Sequence, residues 1–130
     1  MKILFLSVIL CFTLTISFGQ TKITAKDAAS HVGETVMVCD KVFSTKLITG
    51  SNMTLLNLGG YYPNQLLTVM IEGRDRNKFK GVPEEDFKGR SVCVTGKIVE
   101  YRGKPEIVVS DPSELKLEPT DNILPVPAKY

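Results

Sequence analysis

A ten-residue pattern occurs twice in this chain, and it leaves few folds open. Gly33-Glu34-Thr35-Val36-Met37-Val38-Cys39-Asp40-Lys41-Val42 aligns position by position with Gly89-Arg90-Ser91-Val92-Cys93-Val94-Thr95-Gly96-Lys97-Ile98. The two share a glycine, two valines and a lysine followed by a β-branched residue. In both, valines recur at a period of two, the mark of a strand that buries one face. Two copies cannot build a stacked repeat array. The echo therefore reads as one mechanical task, starting a hairpin after a helical or irregular segment, carried out twice in a single β domain.

Both copies carry a cysteine out of phase with the flanking valines, so Cys39 and Cys93 point to the face opposite those valines. If the two strands are neighbours, the sulfurs come within bonding range; otherwise the pair is two small buried thiols. There is no CxxC and His31 is the single histidine, so these residues are not read as a metal site.

The first nineteen residues read as a secretory signal peptide: Lys2, an apolar run from Ile3 to Leu10, and the small residues Ser17 and Gly19 before polar Gln20. Cleavage is placed after Gly19. A retained anchor needs about 20 apolar residues, and Thr13, Thr15 and Ser17 interrupt this run. A lipoprotein reading of Cys11 fails on the bulky Leu10 before it. Removal of the leader predicts a periplasmic or secreted chain with no membrane span, in which disulfides persist.

What remains of the 130 residues after the leader is 111, enough for one core and no second domain. The leader takes Lys2 with it, so the formal charge drops from +2 to +1. Bulk charge therefore does not call for a nucleic acid or a membrane, and any basic patch is local.

Along the chain, Thr24 to His31 reads as a short helix with Thr24 as N-cap and Gly33 as its stop. Strands are predicted over 34–43, 53–58, 66–72, 89–99 and 105–110, with 44–52 as a loop. Residues 74–87 form a helical or irregular connection that seats Phe79, Val82 and Phe87 on the core. Tyr101-Arg102-Gly103-Lys104 is a tight turn. Asp111-Pro112-Ser113-Glu114 starts a helical turn before an extended 115–117. A proline-containing tail, 118–130, reads as poorly anchored.

The wording Gly33-x-x-Val36-x-Val38-Cys39-x-Lys41-Val42, then Leu56-Asn57-Leu58-Gly59 with Tyr62-Pro63, then Gly89-x-x-Val92-x-Val94-Thr95-Gly96-Lys97-Ile98-x-x-Tyr101-x-Gly103-Lys104-Pro105-x-Ile107-Val108-Val109, resembles bacterial exported OB-fold domains of the nucleic-acid-binding type. The resemblance runs from Ala25 to Leu117. It implies a mainly β fold, a five-stranded OB-fold Greek-key barrel over 20–117, with a short N-terminal helix and a helical or irregular segment between strands three and four. It also implies a ligand held on the second and third strands and on the loops joining strands one to two and four to five.

Onto those places fall Lys46 in the first loop, Tyr61 and Tyr62 after the second strand, and Tyr101, Arg102 and Lys104 in the last turn. Single strands bind by aromatic stacking in a positive groove, and this set suffices for one to three nucleotides. The same tyrosines also serve as barrel caps or proline-packed loop closures. Arg74, Asp75, Arg76, Lys78 and Lys80 read as a solvated face offset by Glu84, Glu85 and Asp86.

No nucleophile elbow, zinc-protease motif or phosphate loop is present, and Asp40, Glu72 and Glu100 are too scattered for a nuclease metal. The sequence thus predicts an exported, non-catalytic module without a cofactor, binding single-stranded nucleic acid. The alternatives are a module for an envelope protein or oligosaccharide, and an accessory subunit of an exported nuclease.

Overall fold

A computed structural model of the chain describes residues 20–119. The leader, its cleavage point and residues 120–130 of the tail lie outside the described residues. The fold is mainly β. Strand β1 (Lys22–Ile23) precedes a 3-10 helix (Ala25–His31), then come β2 (Thr35–Ile48), β3 (Met53–Leu58) and β4 (Leu67–Ile71). Two single-turn helices, α1 (Gly73–Arg76) and α2 (Pro83–Asp86), lead to β5 (Ser91–Lys97), β6 (Val99–Tyr101), β7 (Lys104–Val109) and, after a 3-10 turn (Pro112–Glu114), β8 (Leu115–Leu117).

The eight strands form one sheet in the order β6-β7-β4-β3-β2-β5-β8, with β1 beside β2. The five-stranded barrel expected from the sequence is therefore corrected: the sheet has eight strands and is open. Among the described residues no ladder joins β5 to β7. They meet by packing instead: a Cβ added at Gly96 would stand 2.7 Å from Cγ2 of Ile107. Strands β5 and β6 are separated along the chain by Ile98 alone, which is fully buried. Its backbone leaves the ladder to receive Gly33 N–H on its carbonyl at 2.7 Å and to donate to the Glu34 carbonyl at 3.0 Å. That detour splits the strand predicted over 89–99.

The loop predicted over 44–52 is also corrected. Strand β2 continues to Ile48 because it has two successive partners, β5 for residues 35–41 and β3 for 42–48. Between Val42 and Ser44 the register shifts, leaving Phe43 as the extra residue of a bulge. A bulge bends a strand and reverses the facing of the residues beyond it. Val36, Val38 and Val42 are buried ahead of it, whereas polar Ser44 and Lys46 point outward on its far side.

The core gathers Val38, Val42, Leu56, Val69, Val94 and Ile107, all without exposed surface. Phe79 and Phe87 pack on it from the connection, edge to face at 6.5 Å, but Val82 is 37% exposed and anchors nothing there. Arg76 is drawn off the solvated face predicted for it: its guanidinium pairs with Glu84 at 2.6 Å and donates to Oγ1 of buried Thr54 at 3.2 Å. Asp111 caps the last turn by accepting from Ser113 N–H at 2.9 Å. The start of the tail is held, since Glu118 N–H donates to the Ser91 carbonyl at 2.9 Å.

Cys39 and Cys93 are direct partners in the β2–β5 ladder, with Cα atoms 4.1 Å apart, and are joined as a disulfide. Glu118 lies beside them, but two sulfurs bonded to each other are not thiolate ligands.

Candidate functional site

Strands β3, β4 and β7 alternate strictly. Leu56 and Leu58, Leu67 and Val69, and Ile107 and Val109 enter the core. The residues between them therefore occupy the other face of the sheet. In register, these make two rows across the strands. One is polar: Ser44, Asn57, Thr68 and Glu106, ending on Val99 of β6. The next is apolar: Leu55, Met70 and Val108, with Lys46 at its end.

The polar row is wired together. Asn57 Nδ2 donates to Ser44 Oγ at 3.1 Å, Thr68 Oγ1 donates to Asn57 Oδ1 at 3.5 Å, and Gln65 Nε2 donates to Thr68 Oγ1 at 3.2 Å. Ser44 Oγ also accepts the backbone N–H of Tyr62 at 3.1 Å. That bond fixes the 59–66 loop on the sheet. Ser44 Oγ thus accepts twice, and Gln65 Oε1 is left without a donor.

Two loops close over one end of this face. Arg102 (φ 50°) and Gly103 (φ 78°) are both left-handed, the backbone of a two-residue type I′ hairpin between β6 and β7. Glycine takes that conformation freely, whereas Arg102 holds it at a cost. From this hairpin the Lys104 ammonium donates to the Pro63 carbonyl, tying it to the 59–66 loop. The Arg102 guanidinium lies 5.3 Å from the ring centre of Tyr101, a cation–π distance. Tyr61 (64% exposed) packs edge to face on Phe43 at 5.2 Å, so part of its ring is structural. Tyr62 and Tyr101 are exposed at 72% and 55%.

Of the six residues predicted to bind, Tyr61, Tyr62, Tyr101, Arg102 and Lys104 are thus gathered by one loop–hairpin contact. Lys46 stands apart. It is on strand β2 opposite Leu55, two rows from the Tyr101–Lys104 pair, or about 13 Å along the strands.

Sequence reasoning missed Asn57, Gln65, Thr68 and Glu106. The signal was there in three of them: Asn57 between Leu56 and Leu58, Thr68 between Leu67 and Val69, and Glu106 between Pro105 and Ile107 are polar residues standing out of phase with a buried row. Glu106 is 9% exposed, and among the described residues its carboxylate has no hydrogen-bond or ion-pair partner. Burial pushes its pKa above the ordinary value of 4.5.

The folded chain keeps this proton to higher pH than the unfolded one, so stability falls as pH rises from about 4.5 toward the raised folded value. Glu106→Gln is accordingly expected to raise the melting temperature at pH 7 and to leave it unchanged near pH 3. Thermal scans at the two pH values check this; a lower melting temperature at pH 7 would contradict the burial.

No protein-family model and no curated protein matches this sequence. The structure is similar to one described as an aspartyl-tRNA synthetase from Leishmania major Friedlin, at 15% identity and a TM-score of 0.49, over 82% of this chain and 22% of that one. The chain thus spans about a fifth of that protein's length, and a likeness of this degree carries no functional argument.

Proposed function

We propose that this chain is an exported, non-catalytic OB-fold binding domain that takes single-stranded nucleic acid across the outer face of β3, β4 and β7. The export is read from the leader, and the absence of catalysis from the lack of any recognised catalytic motif in the sequence. The OB-fold reading is supported by strand order: β2, β3 and β4 form a meander, β7 lies parallel to β4, and β5 returns to β2.

One observation carries the ligand class. The Lys104–Pro63 contact brings three exposed tyrosines and the Arg102 cation to the edge of a sheet face. Flat rings stack bases, cations follow the phosphates, and neither demands a sequence.

The test is fluorescence anisotropy of the mature chain with a labelled 12-nucleotide single strand, at low and then moderate salt. Charge reversal by Arg102→Glu with Lys104→Glu is expected to weaken binding more than ten-fold at low salt. It should also reduce the salt slope by about 1.4, since each phosphate contact on a single strand contributes roughly 0.7. Binding that ignores salt and survives the double reversal would instead support the envelope-protein or oligosaccharide reading.

A further inference from the structure

Glu106 is out of place on a face meant for phosphates. A carboxylate there repels the backbone of a nucleic acid, costs stability through its burial, and is relieved by no cation among the described residues. On the same face, bonded to the register partner of Glu106, lies a second unpartnered acceptor, this one closed to solvent. Gln65 spends its amide N–H on Thr68, the register partner of Glu106, while its Oε1 is sealed from solvent with no partner. Gln65 Oε1 is the one side-chain polar atom among the described residues in that condition. The oxygens of Glu106, equally unpartnered, therefore keep an opening to solvent.

The two oxygens of the Glu106 carboxylate ask for a ligand that presents adjacent donors. We propose that the Glu106 carboxylate selects guanine in a bound single strand by accepting from the N1–H and N2 amino group of its Watson–Crick edge; the proposal rests on the single-strand reading of this face. A carboxylate accepts two parallel N–H donors at once. Among the four bases guanine offers them side by side. Adenine and cytosine each set one amino group next to a ring nitrogen that accepts, and thymine sets its N–H between two carbonyl oxygens. Both of those arrangements place lone pair against lone pair at a carboxylate. Unpaired bases expose this edge, which a duplex hides. Leu55, Met70 and Val108 in the next row supply an apolar surface for the neighbouring base.

The test uses the mature chain and 12-nucleotide thymidine strands whose central base is guanine, hypoxanthine or adenine, followed by anisotropy at one low salt concentration. Hypoxanthine keeps N1–H and lacks the N2 amino group. Affinity is expected to fall in the order guanine, hypoxanthine, adenine, with about ten-fold between the first and last. In Glu106→Gln, whose amide accepts on its oxygen and donates from its nitrogen, the guanine preference should be lost or turned toward adenine, whose edge sets a donor beside an acceptor.

Equal binding of all three strands by the unmodified chain, with salt sensitivity intact, would overturn guanine selection and leave the single-strand interface standing. A guanine preference that persists undiminished in Glu106→Gln would also overturn it, because another group would then be responsible. Failure to bind any strand would remove both readings together. The base series needs no variant, so the result does not hang on whether Glu106→Gln folds.

Discussion

Val94→Asp is expected to abolish the folded state. Val94 has no exposed surface and sits opposite Val38, equally buried, one residue from the disulfide on the β2–β5 ladder. An aspartate there has no cation or N–H to pair with, since the surrounding side chains are aliphatic. Placing even a neutral polar group in such a site costs about 2 to 7 kcal/mol, and an unpaired charge far more. A domain of this size commands roughly 5 to 15 kcal/mol in total. The control is Ser91→Asp, on the same strand but exposed, where the expected change is within about 0.5 kcal/mol. Near-ultraviolet circular dichroism and a urea titration separate the two. A cooperative, unshifted transition in Val94→Asp would mean that the valines of β5 do not face the core.

That prediction could be written from the sequence, because period-two burial is a local signal. Met53–Leu58 was legible to the residue for the same reason. Legibility failed where a residue's role depends on two partners at once. Ser44-Thr45-Lys46 is polar and reads as loop, yet in a sheet with one solvated face polarity on alternate positions is as compatible with a strand. What extends β2 through it is β3, a neighbour that local composition does not reveal. The bulge at Phe43 is invisible for the same reason: an inserted residue is defined only against the partner's register. Ile98 is apolar and in phase with β5, and nothing in its neighbours announces that its backbone turns away to serve Gly33 and Glu34.

The candidate site divides along the same line. Its aromatic and cationic members were found because exposed tyrosines and a Tyr-Arg-Gly-Lys turn are conspicuous in sequence. Its acceptors were missed because a glutamate in a strand is unremarkable until its burial and its register neighbours are known. The 59–66 loop lies on the same face, its Tyr62 N–H held by Ser44 and its Pro63 carbonyl by Lys104. A stability cost retained at a surface opening is what a recognition group is expected to carry.

The second large effect concerns the Cys39–Cys93 bond. It closes a loop with a sequence separation of 54 and cross-links β2 to β5, strands that pair in register from Thr35–Lys97 to Lys41–Ser91. In the chain-entropy account a loop of that length withdraws roughly 4 kcal/mol of freedom from the unfolded state. That is a large share of the stability available to one small domain. Cys39→Ala with Cys93→Ala is expected to lower the urea midpoint by the equivalent of about 4 kcal/mol, with a near-native fold at low denaturant. Dithiothreitol should shift the unmodified chain by a similar amount and leave the double variant where it is. The comparison isolates the bond from the methyl-sized changes in packing, since reduction deletes no atoms from the core. A double variant as stable as the oxidised chain would show that the ladder of β2 and β5, with the valines beneath it, holds the domain without the cross-link.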